Sequence, residues 1–390
     1  MLRTLRPILE RHPWRRRYSS TSLRKVIVDG IKATGPIPLA TYMQLCLSHP
    51  THGYYMSSAN DIFGTRGDFV TSPEISSVFG EILGVWFMYQ WMNKRTMPIR
   101  LVEMGPGRGV LMNDILGAST FKTRRRQTIT LCSKGQFALE WHDTIDEIKP
   151  NADVFTMVVA HEFFDALPFH LIERTEQGWQ EILVALADET PDQLRYVLAP
   201  QPTAASTLLG LSSPRFLKLA IGSRLEVSPV SFKTMRSLGS LVAGNPGCGL
   251  IIDYGDAKPS SGSFRVRCSS SIAASLRNQN QAFKNHQIVD PFSAPGASDL
   301  TANVDFGYLT EAIADLVPVH GPLAQGLFLE RMGLHERLQA LARKVPNAEN
   351  LLATAERLVD PNGMGAQYKV LGFGGGQSTE EVWPFITPKE

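Results

Sequence analysis

The chain has 390 residues and a formal net charge of +2, but residues 1–18 hold six Arg and one Glu, whereas the other 372 hold 33 basic and 36 acidic side chains. A slightly acidic body disfavours a broad phosphate-binding surface, and with it non-specific nucleic-acid binding. A hydrophobic fraction of 43% supports a real core, the longest apolar run (Ile82 to Tyr89) is far short of the roughly 18 residues of a membrane span, and four dispersed cysteines without a C-x-x-C pair argue against a zinc ribbon or a disulfide framework.

Residues 1–18 are Arg-rich and nearly free of acid, Ser19, Ser20, Thr21 and Ser22 follow, and Arg16-Arg17-Tyr18-Ser19 resembles a matrix-processing site. This make-up predicts a transit peptide and localisation in the mitochondrial matrix. Apolar Leu23, Val26, Ile27 and Ile31 predict a short helix stopped by Gly35-Pro36, and residues 39–47 a second helix before a turn-rich stretch. A long helix is predicted to start near Pro73, because Thr71 and Glu74 have capping-box spacing and Ile75, Val78, Phe79, Ile82, Leu83 and Trp86 recur at helical spacing. Residues 99–104 read as a strand running into a glycine loop and then a helix through Leu116. Residues 127–132, 137–142 and 154–160 read as strands, 171 to about 198 as an antiparallel hairpin, 250–253 and 367–373 as strands, and 325–332 as a helix. The pattern predicts an α/β fold with N-terminal helices (19–95), a core (96–170), an inserted β-rich subdomain (171–247) and the remainder of the core (248–390).

The most informative segment is Glu103-x-Gly105-x-Gly107-x-Gly109 on a strand-to-helix turn. Glycines allow a tight turn and a close approach of ligand to backbone amides. The dinucleotide spacing would want Gly at 110, where Val110 stands, so a dinucleotide oxidoreductase is disfavoured, and the Gly-Lys-Ser/Thr of a phosphate-cradling loop is lacking. An acid two residues before the first Gly is what class I S-adenosylmethionine (SAM) methyltransferases carry; a carboxylate receives hydrogen bonds from an ammonium or hydroxyl and repels phosphate.

A second loop, His161-Glu162-Phe163-Phe164-Asp165-Ala166-Leu167-Pro168, follows the apolar strand 154–160. It is not H-E-x-x-H, since Asp165 stands where the second histidine would be, so the zinc reading fails and no metal is expected. Loops at the carboxyl ends of strands line the ligand crevice of an open α/β sheet, which places Glu162 and Asp165 as catalytic candidates. A carboxylate pair suits a guanidinium: it can hold the charge and aim one nitrogen at a methyl donor.

Segments including "GDFVTSPEISSVFGEILGVWF", "LVEMGPGRGVLMNDIL", "AHEFFDALPFH", "LIIDYGD" and "DPFSAPGASDLTANVDFGYL" resemble the MidA-type family of mitochondrial and bacterial class I methyltransferases, over most of residues 23–375. The resemblance implies a Rossmann-like class I methyltransferase sheet and S-adenosyl-L-methionine as cofactor, with contacts at Gly105, Gly107 and Gly109 and Glu103 beside them. It implies substrate-side roles around Asp68, Ser72 and Glu74. The mitochondrial branch symmetrically dimethylates an arginine on a matrix-arm subunit of respiratory complex I during assembly, so a protein partner is expected. A small-molecule methyltransferase and a non-catalytic assembly chaperone are the alternatives.

Two departures accompany the resemblance. Class I enzymes place an acid at the end of the second strand for the SAM ribose; here residues 127–132 run into Ser133-Lys134-Gly135, and the next acid is Glu140. About four residues separate the two candidate strands, whereas a parallel crossover needs roughly a dozen. The strands therefore form a hairpin, or one leaves the sheet, or the sequence lacks a segment, the last being favoured. Residues 266–281 are a polar, aperiodic insert that resembles translated intron, with a genuine surface loop as the alternative.

Overall fold

The computed structural model describes residues 22–56, 71–92, 97–117, 129–131, 137–190, 192–267, 290–343, 348–375 and 382–386. The expected transit peptide, Asp68, and residues 268–281 of the insert lie outside the described residues. The first strands in chain order are β1 (Ile37–Pro38), β2 (Ile99–Met104), β3 (Ile129–Leu131), β4 (Phe137–Leu139), β5 (Phe155–His161), β6 (His170–Thr175), β7 (Gly178–Leu186), β8 (Leu194–Leu198) and β9 (Arg224–Val227). Then come β10 (Gly247–Asp256), β11 (Arg265–Arg267), β12 (Asp299–Thr301), β13 (Val304–Asp305), β14 (Val319–Ala324) and β15 (Tyr368–Gly375).

The central sheet runs β14-β15-β10-β5-β2-β3-β4, with β2, β5 and β10 parallel. Those three strands read as nearly continuous apolar runs because both faces are covered. Phe155, Met157 and Val159 of β5 face one core with Leu101, Leu250 and Ile252. Val158 and Ala160 face the other core with Val102 and Ile251. Helices Ser77–Trp91, Val110–Gly117 and Gln325–Arg331 cover the first face, and helices Pro229–Val242 and Phe306–Ile313 the second.

The inserted segment forms a second sheet together with the N-terminal β1, in the order β1-β7-β6-β9, with β8 paired to the other edge of β7. Helices Leu23–Thr34 and Leu39–Ser48 pack on it rather than on the central sheet: Leu23, Ile27, Leu39, Tyr42 and Met43 share a core with Val184 of β7. The expected α/β architecture, with N-terminal helices and an inserted β-rich unit, is what the chain adopts.

Two local expectations are corrected, and one of the alternatives for residues 127–142 is realised. The helix expected from Pro73 onward is broken: Ser72–Ile75 is a single turn, Ser76 is extended (φ −156°, ψ 131°), and Ser77–Trp91 starts anew. Thr71 makes no side-chain cap bond; Ser76 Oγ instead accepts from the Val78 N–H, so the serine that could have continued the helix begins a second one. The stretch after Leu198, whose Pro/Ala/Ser-rich composition predicts a connector, contains the helix Ala204–Gly210, capped by a reciprocal Thr203–Ser206 box. Finally, β3 and β4 form an antiparallel hairpin on the edge of β2. Because Leu101 pairs with Ile129 and Arg100 with Thr130, β3 runs against β2, and its carboxyl end is carried to the edge where β2 begins.

Candidate active site

The chain leaves β2 toward β3 on one side and returns as β5 on the other, so the strand order reverses between β2 and β5. Ligand crevices of open α/β sheets open outside the carboxyl ends of strands at such a reversal. Met104 pairs with Ala160, and His161 with Ile252, so β2 and β5 end at one level and β10 runs on past them from Asp253 to Asp256. Tyr368, the first residue of the antiparallel β15, joins them through its pairing with Tyr254.

After β2 the backbone turns through Gly105, Gly107 and Gly109 at φ +62°, +49° and +73°, angles that L side chains resist. The Gly109 N–H donates to the Pro106 carbonyl at 2.6 Å, closing the turn before helix Val110–Gly117. A Cβ on Gly105 would lie 3.0 Å from the Phe163 ring, so the glycine loop and the loop after β5 touch. Glu103 is buried, and its Oε2 has no hydrogen-bond partner among the described residues. Burial pushes its carboxyl up to about 8, partly offset by the Met112 backbone N–H.

The loop after β5 begins with Glu162 at φ +47°, a conformation costing a non-glycine residue about 1–2 kcal/mol. Tyr368 donates its hydroxyl hydrogen to Glu162 Oε1 at 2.7 Å, and Tyr254 donates to Asp165 Oδ2. Asp253, fully buried, accepts through Oδ2 from the backbone N–H groups of Phe163, Phe164 and Asp165 at 3.2, 3.0 and 3.3 Å. Burial and the facing carboxylates of Asp165 and Glu162 hold Asp253 well above the usual carboxylate range. The Ala302 N–H donates to the Asp165 carbonyl at 3.0 Å, bringing the β12 segment alongside, where Tyr55 donates to Asp299 Oδ1 at 2.8 Å. His161 is buried beside Phe79 and Tyr368, and burial lowers it to about 3, so it stays neutral and is no proton acceptor near pH 7.

Of the residues singled out from sequence, Glu103, Gly105, Gly107, Gly109, Glu162 and Asp165 come together around this crevice. Glu74 stands against the glycine loop, its Oε1 accepting from Arg108 at 2.5 Å. Ser72 is fully buried, with no partner for its Oγ among the described residues. Sequence reasoning missed Asp253, Tyr254 and Tyr368. "DYGD" at a strand end was the signal for the first two, while Tyr368 opens its strand without a local motif.

A family profile described as "Putative S-adenosyl-L-methionine-dependent methyltransferase" matches residues 82–323. The chain is 35% identical over 400 residues to the mitochondrial protein arginine methyltransferase NDUFAF7 of Danio rerio, covering 91% of this chain and 88% of that protein. The Drosophila melanogaster homolog of that methyltransferase is 35% identical, covering 90% and 84%, and the Homo sapiens protein is 32% identical, covering 91% and 86%. A Burkholderia thailandensis protein, crystallised with S-adenosyl-homocysteine, shares the fold at a TM-score of 0.70 and 21% identity, covering 90% of this chain and 91% of that one.

Proposed function

This chain belongs to the family of S-adenosyl-L-methionine-dependent methyltransferases, and we propose that it methylates arginine on a protein substrate in the mitochondrial matrix. The observation that carries the reading is the carboxylate pair Glu162 and Asp165 at the end of β5, each receiving a tyrosine hydroxyl, beside the glycine loop.

The residues present fit the cofactor. Glu103 offers a buried oxygen without a partner among the described residues, able to accept from an ammonium or hydroxyl, and three glycines in left-handed conformations bring backbone close to a ligand. When bound, S-adenosylmethionine supplies an electrophilic methyl group on its sulfonium. The substrate guanidinium is positive at all relevant pH, and Glu162 and Asp165 accept its N–H hydrogens, localise its charge and turn one nitrogen toward the crevice. The hydroxyls of Tyr368 and Tyr254 fix the two carboxylates. Displacement at a sulfonium methyl requires in-line geometry, so orientation is the main contribution. The proton lost by the reacting nitrogen passes to a carboxylate oxygen of the pair.

The finer reading is symmetric dimethylation of an arginine on a matrix-arm subunit of complex I during its assembly. It rests on the resemblance to the mitochondrial branch, and the basic residues 1–18 and the mitochondrial names of the relatives support the compartment. Labelled methyl transfer to complex I assembly intermediates tests it. Glu162→Gln and Asp165→Asn are expected to lower labelling by about a hundredfold or more, with SAM affinity held within about threefold. Wild-type labelling in both variants sinks the assignment of the pair.

A non-catalytic assembly role is favoured by one observation: β3 runs against β2, so the end of the second strand, where a ribose-binding acid would stand, faces away from the crevice. Gly107→Val places a β-branched residue at φ +49° and is expected to abolish methylation. Assembly scored in the same variant separates the readings, because intact assembly without methylation removes the enzymatic account.

A further inference from the structure

Asp253 carries a carboxyl group in a place where the neighbouring positions are apolar. It sits on β10 after Leu250, Ile251 and Ile252, with its backbone already paired to Lys369 of β15. An apolar residue there would complete the core without the desolvation of a carboxyl. Instead one oxygen, Oδ2, gathers three successive backbone N–H groups, those of Phe163, Phe164 and Asp165, and the other accepts from its own neighbour Tyr254 at 2.9 Å. Successive amides converging on one carboxyl oxygen form a nest, which fixes the backbone of the segment that supplies them. That segment is the loop carrying the carboxylate pair. Immediately before it, Glu162 is held at φ +47°. Immediately after Asp253, Tyr254 donates to Asp165, and Tyr254 lies edge-on to Tyr368, 5.5 Å between ring centroids, while Tyr368 donates to Glu162.

We propose that Asp253 is a positioning residue for methyl transfer: its carboxyl group fixes the Phe163–Asp165 backbone and thereby the relative placement of Glu162 and Asp165. The inference rests on the reading of that pair as the guanidinium-holding groups. Asp253 touches neither substrate nor cofactor, so removing it changes the rate with the pair aligned less well, and leaves cofactor affinity unchanged.

The test compares Asp253→Ala and Asp253→Asn in the full chain, reading kcat and KM for methyl transfer, SAM affinity by calorimetry, and hydrogen exchange of the 162–168 backbone. Asp253→Asn keeps one acceptor oxygen for the three amides. The Ala variant is expected to lose at least about tenfold in kcat, with SAM affinity within about twofold and faster exchange confined to 162–168. The Asn variant is expected to recover to within about threefold of wild type, with near-native exchange. If the Ala variant does not fold, the Asn variant decides: native exchange with native kcat supports the role, and native exchange with lost kcat overturns it. Unchanged exchange and kcat in the Ala variant, or SAM affinity falling in step with kcat, also overturns it. A wild-type protein inactive on protein arginine removes the arginine reading, while the exchange measurement still judges whether Asp253 holds the loop.

Discussion

Glu103 makes the protein's stability depend on pH in a predictable direction. Its carboxyl titrates near 8 in the folded protein because it is buried, against 4.5 when exposed. Between those values the folded chain keeps a proton that the unfolded chain has lost, so this contribution is complete below about 4.5 and disappears as pH rises through about 8. The slope is on the order of 1 kcal/mol per pH unit across the window. The difference in melting temperature between wild type and Glu103→Gln, measured without cofactor, is expected to change steadily from pH 5 to 8 and level off above. A difference constant across that range contradicts the assignment. At Tyr368, removing the hydroxyl takes one charge-assisted donor from Glu162 Oε1, an interaction worth about 1.5–3 kcal/mol. Tyr368→Phe is therefore expected to reduce methyl transfer by about tenfold or more at unchanged SAM affinity, and kinetics at wild-type level would show that the hydroxyl does not orient the carboxylate.

At the scale of elements, two glycines respond oppositely to the same substitution. Gly249 of β10 faces Phe373 of β15, and an added Cβ would lie 2.2 Å from the ring, with the pair at the heart of the sheet. Overpacking of this kind costs about 1–3 kcal/mol, so Gly249→Ala is expected to lower the denaturation midpoint. Gly30 lies inside helix Leu23–Thr34 with nothing within 4 Å of an added Cβ, and Gly30→Ala is expected to raise stability by about 0.5–1 kcal/mol. Equal effects in chemical denaturation would refute both accounts. The β3–β4 hairpin is the other element with a consequence. We propose that the encoding sequence lacks a crossover there and carries an extra segment at 266–281; transcripts read across codons 130–140 and 265–282 test this, and transcripts matching both junctions as they stand overturn it.

At the scale of the molecule, the inserted sheet and the core are tied by Arg215. Its guanidinium donates to both carboxylate oxygens of Asp305 at 3.1 and 3.0 Å and to Glu311 at 2.7 Å, with the side chain only 25% exposed. Arg215→Ala leaves two carboxylates without that cation and is expected to cost about 2–3 kcal/mol, less than a fully buried pair because water still reaches it. Arg215→Lys is expected to restore little, since an ammonium cannot reproduce the fork. Denaturant midpoints equal to wild type in the Ala variant would mean the tie contributes nothing.

Much of this site was legible from local sequence. The glycine spacing fixed a turn that only glycines adopt readily, Glu103 and the Glu162–Asp165 loop followed from apolar runs ending in polar residues, and the helix and strand periods set the three parallel strands and the helices on one face of the sheet to within a few residues, whereas the helices Pro229–Val242 and Phe306–Ile313 on the other face were not read. These features are decided by energetics within a few residues: steric limits on φ, capping, and which face is apolar. Tertiary structure alone decided the rest. Ser76 breaks a helix whose periodicity runs through it. The short β3 and β4 pair as a hairpin because the few residues between them can close a turn but not a parallel crossover. Asp253, Tyr254 and Tyr368 reach the Glu162–Asp165 loop across 88 to 206 positions of sequence. Which strands lie side by side, and in what register, depends on burial shared by the whole sheet, and no window of sequence contains that information.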